Sequence, residues 1–154
     1  MRLTTCMLAD AASQSADGKV NIIGGQWDRL VTPGFPATHP SLALVLVLRI
    51  EYTEVLSRHA LNVDLMKDGQ FQGVSATGQI EVGRREGVTP GAPQSACLVL
   101  TFPMTRFEGP GRYEWMVRVD GEILDSIPLE VAEASRPPGS DQAPGATPGG
   151  QPPA

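Results

Sequence analysis

Hydrophobic residues recur along this chain with period two, not with the 3.6-residue period of a helix. Leu42, Leu44, Leu46, Leu48 and Ile50 fall on one face of a strand, and Ala43, Val45 and Val47 on the other, followed by Arg49 and Glu51. A strand apolar on both faces for half its length is central, with its second face at least partly covered. His59, Leu61, Val63 and Leu65 alternate with Asn62 and Asp64 in the next strand. Lys67-Asp68-Gly69-Gln70 then predicts a tight hairpin, because Asp and Gly both tolerate positive φ. Phe71, Val74, Ile80 and Val82 mark the return, and 83–94 reads as a polar loop. In the strand after it, Ala96, Leu98, Leu100 and Phe102 share one face, with Cys97 and Val99 on the other.

The last hairpin is the clearest. Tyr113, Trp115, Val117 and Val119 alternate with Arg112, Glu114, Met116 and Arg118; Asp120-Gly121 makes the turn, and Ile123, Ile127, Leu129 and Val131 return. Pro128 lacks a donor N–H, which puts this strand at a sheet edge or a bulge. Near the start, 3–9 and 20–23 read as short strands joined through Asp17-Gly18, with room for one helical turn at Ala11-Ala12-Ser13-Gln14. Gly24-Gly25 predicts a bulge before a strand at 27–31. Eight or nine short strands with regular turn signals predict an all-β, two-sheet antiparallel sandwich.

The pattern stops near Ala134. Residues 135–154 contain no large apolar side chain and are dense in Pro and Gly, so they are expected to form a disordered tail beyond a β-sandwich domain at 1–134. The chain of 154 residues has a net charge of −5. Its basic residues are scattered, the field has the wrong sign for phosphate backbones, and no run reaches the length of a membrane helix, so neither nucleic acid nor membrane is expected as a partner. The N-terminal run reads as a first strand, not a targeting segment. Cys6 and Cys97 lie in apolar strand patterns and read as buried free thiols; a disulfide would require neighbouring strands and an oxidising compartment.

Candidate chemistry is sparse. The aspartates are spread singly, several in Asp-Gly turns whose backbone geometry explains them, so no metal site is expected. Gly24-Gly25 lacks the spacing and the Lys-Ser/Thr of a phosphate loop. His59 reads as a hydrogen-bonded histidine at the edge of the core, and His39 as solvated in a proline-rich loop. No catalytic motif is present and no cofactor is implied. Trp27-Asp28-Arg29 after the bulge is a candidate binding patch, since Trp and Arg are favoured anchors; the alternative is a Trp that lids one end of the sandwich.

Two resemblances bear on architecture. Gly109-Pro110-Gly111-Arg112-Tyr113 opens the last hairpin and resembles the tyrosine corner of immunoglobulin-like and fibronectin-like sandwiches. The run Cys6 to Ala12, the segment Asp17 to Asp28 and the closing Tyr113 to Val131 hairpin resemble a family of short bacterial proteins of unknown function. That resemblance implies a compact bacterial sandwich and carries over no catalytic residues. The expectation is therefore a non-enzymatic, cytoplasmic module that binds another macromolecule or self-associates, with Val45 and Val47 as candidate interface residues. The alternative is a small-molecule or metal binder using the loops at one end, with Trp27, Asp28, Arg29 and His59 as its candidates.

Overall fold

The computed structural model describes residues 1–135; most of the expected tail at 135–154 lies outside the described residues. Nine strands run in chain order: β1 (Arg2–Gln14), β2 (Val20–Gly25), β3 (Arg29–Thr32), β4 (Ala37–Ile50), β5 (Arg58–Lys67), β6 (Gln70–Glu81), β7 (Gln94–Phe107), β8 (Gly111–Val119) and β9 (Glu122–Glu133). One 3-10 turn, Tyr52–Glu54, follows β4. The strands build an all-β sandwich of a four-stranded sheet, ordered β2-β1-β4-β7, and a five-stranded sheet, ordered β3-β9-β8-β5-β6.

The two tight hairpins form where Asp-Gly predicts them. Asp68 and Gly69 take φ of 50° and 75°, and Asp120 and Gly121 take 51° and 83°. Two left-handed residues in succession match the twist of the flanking strands. Between the sheets, Leu42, Leu44, Leu46, Leu48 and Ile50 of β4 meet Val63 and Leu65 of β5 and Tyr113, Trp115 and Val117 of β8 in one core. Trp115 stacks on Phe102 of β7, ring centroids 4.3 Å apart. Phe107 meets Tyr113 edge-on at 5.1 Å, and the Tyr113 hydroxyl donates to the Gly109 carbonyl at 2.8 Å, fixing the loop that opens β8.

Three expectations need correction. The strands are not all antiparallel, because β3 pairs parallel with β9: the chain crosses from the edge of one sheet to the other at 26–28 and arrives running in the β9 direction. Residues Ala11–Gln14 form no helical turn. They extend β1 and pair on one side with Val20–Ile23, because this pairing extends a ladder already formed whereas one isolated turn would bear the full cost of helix nucleation. His39 is not in a solvated loop but inside β4, half-buried. Here β4 and β7 carry a matched irregularity at Pro40 and Met104, the latter at φ 51°, and the alternation reverses across it. Ala37 and His39 therefore turn toward the inside together with Phe107 and Thr105. Pro128 is tolerated because β3 pairs with β9 only from Glu130 to Glu133, leaving the chain at Pro128 unpaired on that side.

Candidate functional site

The sequence candidates do not come together. Trp27 sits in the 26–28 crossing, packed against the core margin, with its ring 5.7 Å from that of His39. His59 bonds instead to groups beyond the opposite end of β4: its Nδ1 lies 2.7 Å from Asp120 Oδ2, and its Nε2 3.4 Å from the Glu54 carbonyl oxygen. Eleven residues of β4 separate His39 from Ile50, roughly 36 Å at a strand's rise. The partners of His59 are Asp120 and Glu54, and none of Trp27, Asp28 and Arg29 is among them, so the structure does not join the four in one bonded site.

The histidine end is a closed electrostatic network. Asp120 holds His59 through Oδ2 and accepts the Ala60 amide through Oδ1 at 2.8 Å. The Asp120 hydrogen bond raises the His59 pKa, and the same bond, with the Ala60 amide, lowers that of Asp120. Glu54 is lowered too, chiefly by its bond to the Met1 ammonium. Every polar atom of the His59 ring is thus engaged, and the ring is placed to join β5 to the β8–β9 turn. That is the edge-of-core role the sequence suggests.

Cysteine chemistry is also closed off. Cys6 pairs with Leu46 and Cys97 with Val47, adjacent β4 residues that point to opposite faces of the sheet. The two sulfurs stand on opposite sides of the four-stranded sheet and are free. Burial, with the Asp125 carboxylate nearby, pushes the Cys6 thiol up to about 12, and burial raises Cys97 as well. Neither is an activated nucleophile.

At the other end, Trp27 lies beside Cys6, Leu8, Ile127 and Pro128 around an open hollow of about 240 Å³. Trp27 Nε1 and His39 Nδ1 are both buried without a hydrogen-bond partner. Asp28 turns its backbone to the sheet, its carbonyl accepting the Glu130 amide at 2.7 Å, while the exposed Arg29 pairs in register with Glu130. Trp27 sits at the side of the sandwich between β1 and β9, not at an end.

The outer faces of the two sheets differ in kind. On the five-stranded sheet the outward side chains are laced with charge: Arg118 Nη1 lies 2.6 Å from Asp64 Oδ2, and Arg58 pairs with Glu81 at 2.8 Å. On the four-stranded sheet, strand register puts Thr5, Met7, Ala9, Ala43, Val45 and Val47 on one outward face, continued by Cys97, Val99 and Thr101, so the face is uncharged and largely apolar. None of these belongs to the cluster between the sheets. Ala9 and Ala43 are 0% and Val45 1% exposed, so the centre of this face is closed to solvent. In register, Val45 lies between Met7 and Val99, and Ala9 between Gly25 and Ala43. Val45 is therefore not a contact residue, contrary to expectation; Met7, Val47, Cys97 and Val99, all half-buried, form the accessible layer. Charge appears on this face only at its ends: Arg2 and Arg49 at one, the Arg106–Glu108 ion pair at the other.

Sandwich architecture and this uncharged face define a β-sandwich protein with one apolar outer sheet surface. A model of the family of unknown function DUF6941 matches residues 4–132, and the chain belongs to that family. No curated protein matches the chain.

Proposed function

We propose that this protein is a non-catalytic binding module, which engages another macromolecule through the outer face of the four-stranded sheet. The observation that carries the reading is the asymmetry of the two outer faces. A solvated sheet face ordinarily alternates to polar residues, as the five-stranded sheet does. A contiguous apolar face bounded by charge is the composition of an interface core and its rim. Absence of an activated nucleophile and full engagement of the His59 ring are consistent with a role in binding. The Tyr113–Gly109 bond supports an immunoglobulin-like reading of the sandwich. Two free cysteines suit a cytoplasmic setting, and the family resemblance suits a bacterial one.

A hydrophobic dye tests the reading in dilute protein. Wild type binds the dye, Val47→Arg loses the signal, and Thr77→Arg on the opposite outer face keeps it. Equal dye binding in all three proteins contradicts the reading.

A second reading is favoured by one observation, the unpartnered Nε1 of Trp27, a residue that lines the side hollow. A small molecule with a hydrogen-bond acceptor would satisfy the indole N–H there. A ligand panel that shifts the melting temperature of wild type but not of Trp27→Phe supports it. No shift with any compound removes it.

A further inference from the structure

Apart from the outer face, we infer that the free edge of β7 takes up an extended, uncharged peptide segment of a partner protein, which adds to the four-stranded sheet as a further strand and seats an apolar side chain between β7 and β6. The backbone supplies the first argument. The sheets end in the edge strands β2 and β7, and β3 and β6. An open edge offers alternate N–H and C=O groups to any extended chain, and natural edges are blunted by shortness, charge, proline or bulges. Three of these edges are blunted. β3 is short and starts with Arg29, and β2 is short and turns through Gly24 at φ 57°. β6 is interrupted by Gly73 at φ 78° and by its register shift against β5, and it ends in Glu81. β7 is different. From Gln94 to Phe102 it has no charge, no Gly and no Pro, and the irregularity at Pro103 and Met104 comes only afterwards. Among the described residues, no backbone bond joins this stretch to anything but β4.

Side chains supply the second argument. On the inward row of β7, Ala96, Leu98 and Leu100 are half-buried, whereas Leu48, Leu46 and Leu44, their register partners on β4, are 0% exposed. The core is therefore open along the β7 flank. A hollow of about 320 Å³ lies there, lined by Val74 and Ala76 of β6 and by Phe102, Pro103 and Met104 of β7. A strand added to β7 turns every second side chain toward that flank. Its ladder bonds supply affinity, and the hollow selects an apolar residue at the position beside Phe102.

Charge fixes the chemistry of the occupant. Each residue of an added strand lies against an uncharged residue of β7 from Gln94 to Phe102, so a charged side chain turned toward the core would lose water and find no counter-ion. The segment that fits is uncharged, with apolar residues on its inward row. Residues 135–154 of this chain contain no large apolar side chain and do not match it.

Fluorescence anisotropy on the full chain tests this with a labelled peptide of alternating valine and threonine, matched in length to Gln94–Phe102. The peptide is expected to bind and to slow hydrogen exchange at alternate β7 amides in that stretch. The same peptide N-methylated at every residue keeps its side chains but cannot form the ladder, and is expected to bind about tenfold more weakly or worse. Ala76→Phe fills the hollow and is expected to weaken the unmethylated peptide by a similar factor with unchanged circular dichroism. No rise in anisotropy, or equal binding of the methylated peptide, overturns the proposal. Protection that appears in β2 or β6 instead overturns the location. If the β7 amides are already protected without peptide, in a particle of twice the 16.3 kDa chain mass, the edge belongs to a second copy and the separate partner is overturned. Each of these failures leaves the outer-face reading to its own dye assay.

Discussion

Adjacent residues on one strand should differ sharply in what they contribute to folding. Leu46 and Val47 are neighbours in β4, yet Leu46 is fully buried in the core between the sheets and Val47 lies on the outer face, half-buried and outside that core. Leu46→Ala removes buried carbons and leaves a cavity that two hydrogen-bonded sheets cannot collapse to fill, at a cost of about 3 kcal/mol. Val47→Ala removes two methyl groups from a surface open to solvent on one side, so the loss is under ~1 kcal/mol. For a domain of this size, with a urea slope of about 2 kcal/mol/M, the first lowers the unfolding midpoint by roughly 1.5 M and the second by less than ~0.5 M. Equilibrium urea unfolding followed by tryptophan fluorescence reads both, because Trp115 is fully buried against Phe102. Equal midpoint losses for the two variants would refute the assignment of the β4 faces.

Other consequences are quick to check. Tyr113→Phe removes the hydroxyl bond to Gly109 and should cost about 1 kcal/mol, a drop of ~3–4 °C in melting temperature, without changing the spectrum of the folded state. Because its pKa is raised, the His59 contribution is fully present below the unfolded histidine value and fades as pH rises through the folded one; the lowered Asp120 contributes above the unfolded aspartate value and fades as pH falls. The pair is therefore strongest from about pH 4 to about pH 6.5, and the melting gap between wild type and Asp120→Asn should be wider at about pH 5.5 than at about pH 8.5. A gap that widens with rising pH would contradict the His59–Asp120 assignment. Gly121→Val puts a β-branched residue at φ 83° and should destabilise the last hairpin by more than ~1 kcal/mol, seen as earlier thermal melting.

Much of the fold was legible because its signals are local. Asp68-Gly69 and Asp120-Gly121 specify their hairpins within two residues, and the row Leu42 to Ile50 announces a central strand by alternation alone. What was not legible depends on distant partners. Nothing in Arg29–Thr32 says that its neighbour will be β9, or that the pairing will be parallel. Ala11–Gln14 has no strand pattern of its own and is extended only because β2 pairs with it. The inward turn of His39 comes from the paired irregularity at Pro40 and Met104, which a single strand does not reveal.

The candidate site shows the same division. Trp27 and His59 looked joinable because sequence carries no ruler, yet His59 is bonded to Asp120 and Glu54 while Trp27 packs beside His39, Ile127 and Pro128. The working face was half visible: the second face of β4 named Val45 and Val47, and Cys97 and Val99 were already on the second face of their own strand. Only the register that sets Met7 and Val99 beside Val45 joins those rows into one surface, and the burial of Val45 within it is not legible from the strand alone.

The most direct measurement of the central claim, that the outer face of the four-stranded sheet is the accessible binding surface, is the rate at which Cys97 reacts with a thiol reagent, with Cys6 as the internal reference. Cys97 is in the accessible layer of the outer face, and Cys6 faces the inside of the same sheet. The account predicts that Cys97 reacts several-fold faster than Cys6, and that Val47→Arg leaves the Cys6 rate unchanged. Equal rates for the two thiols, or a faster Cys6, would contradict the account.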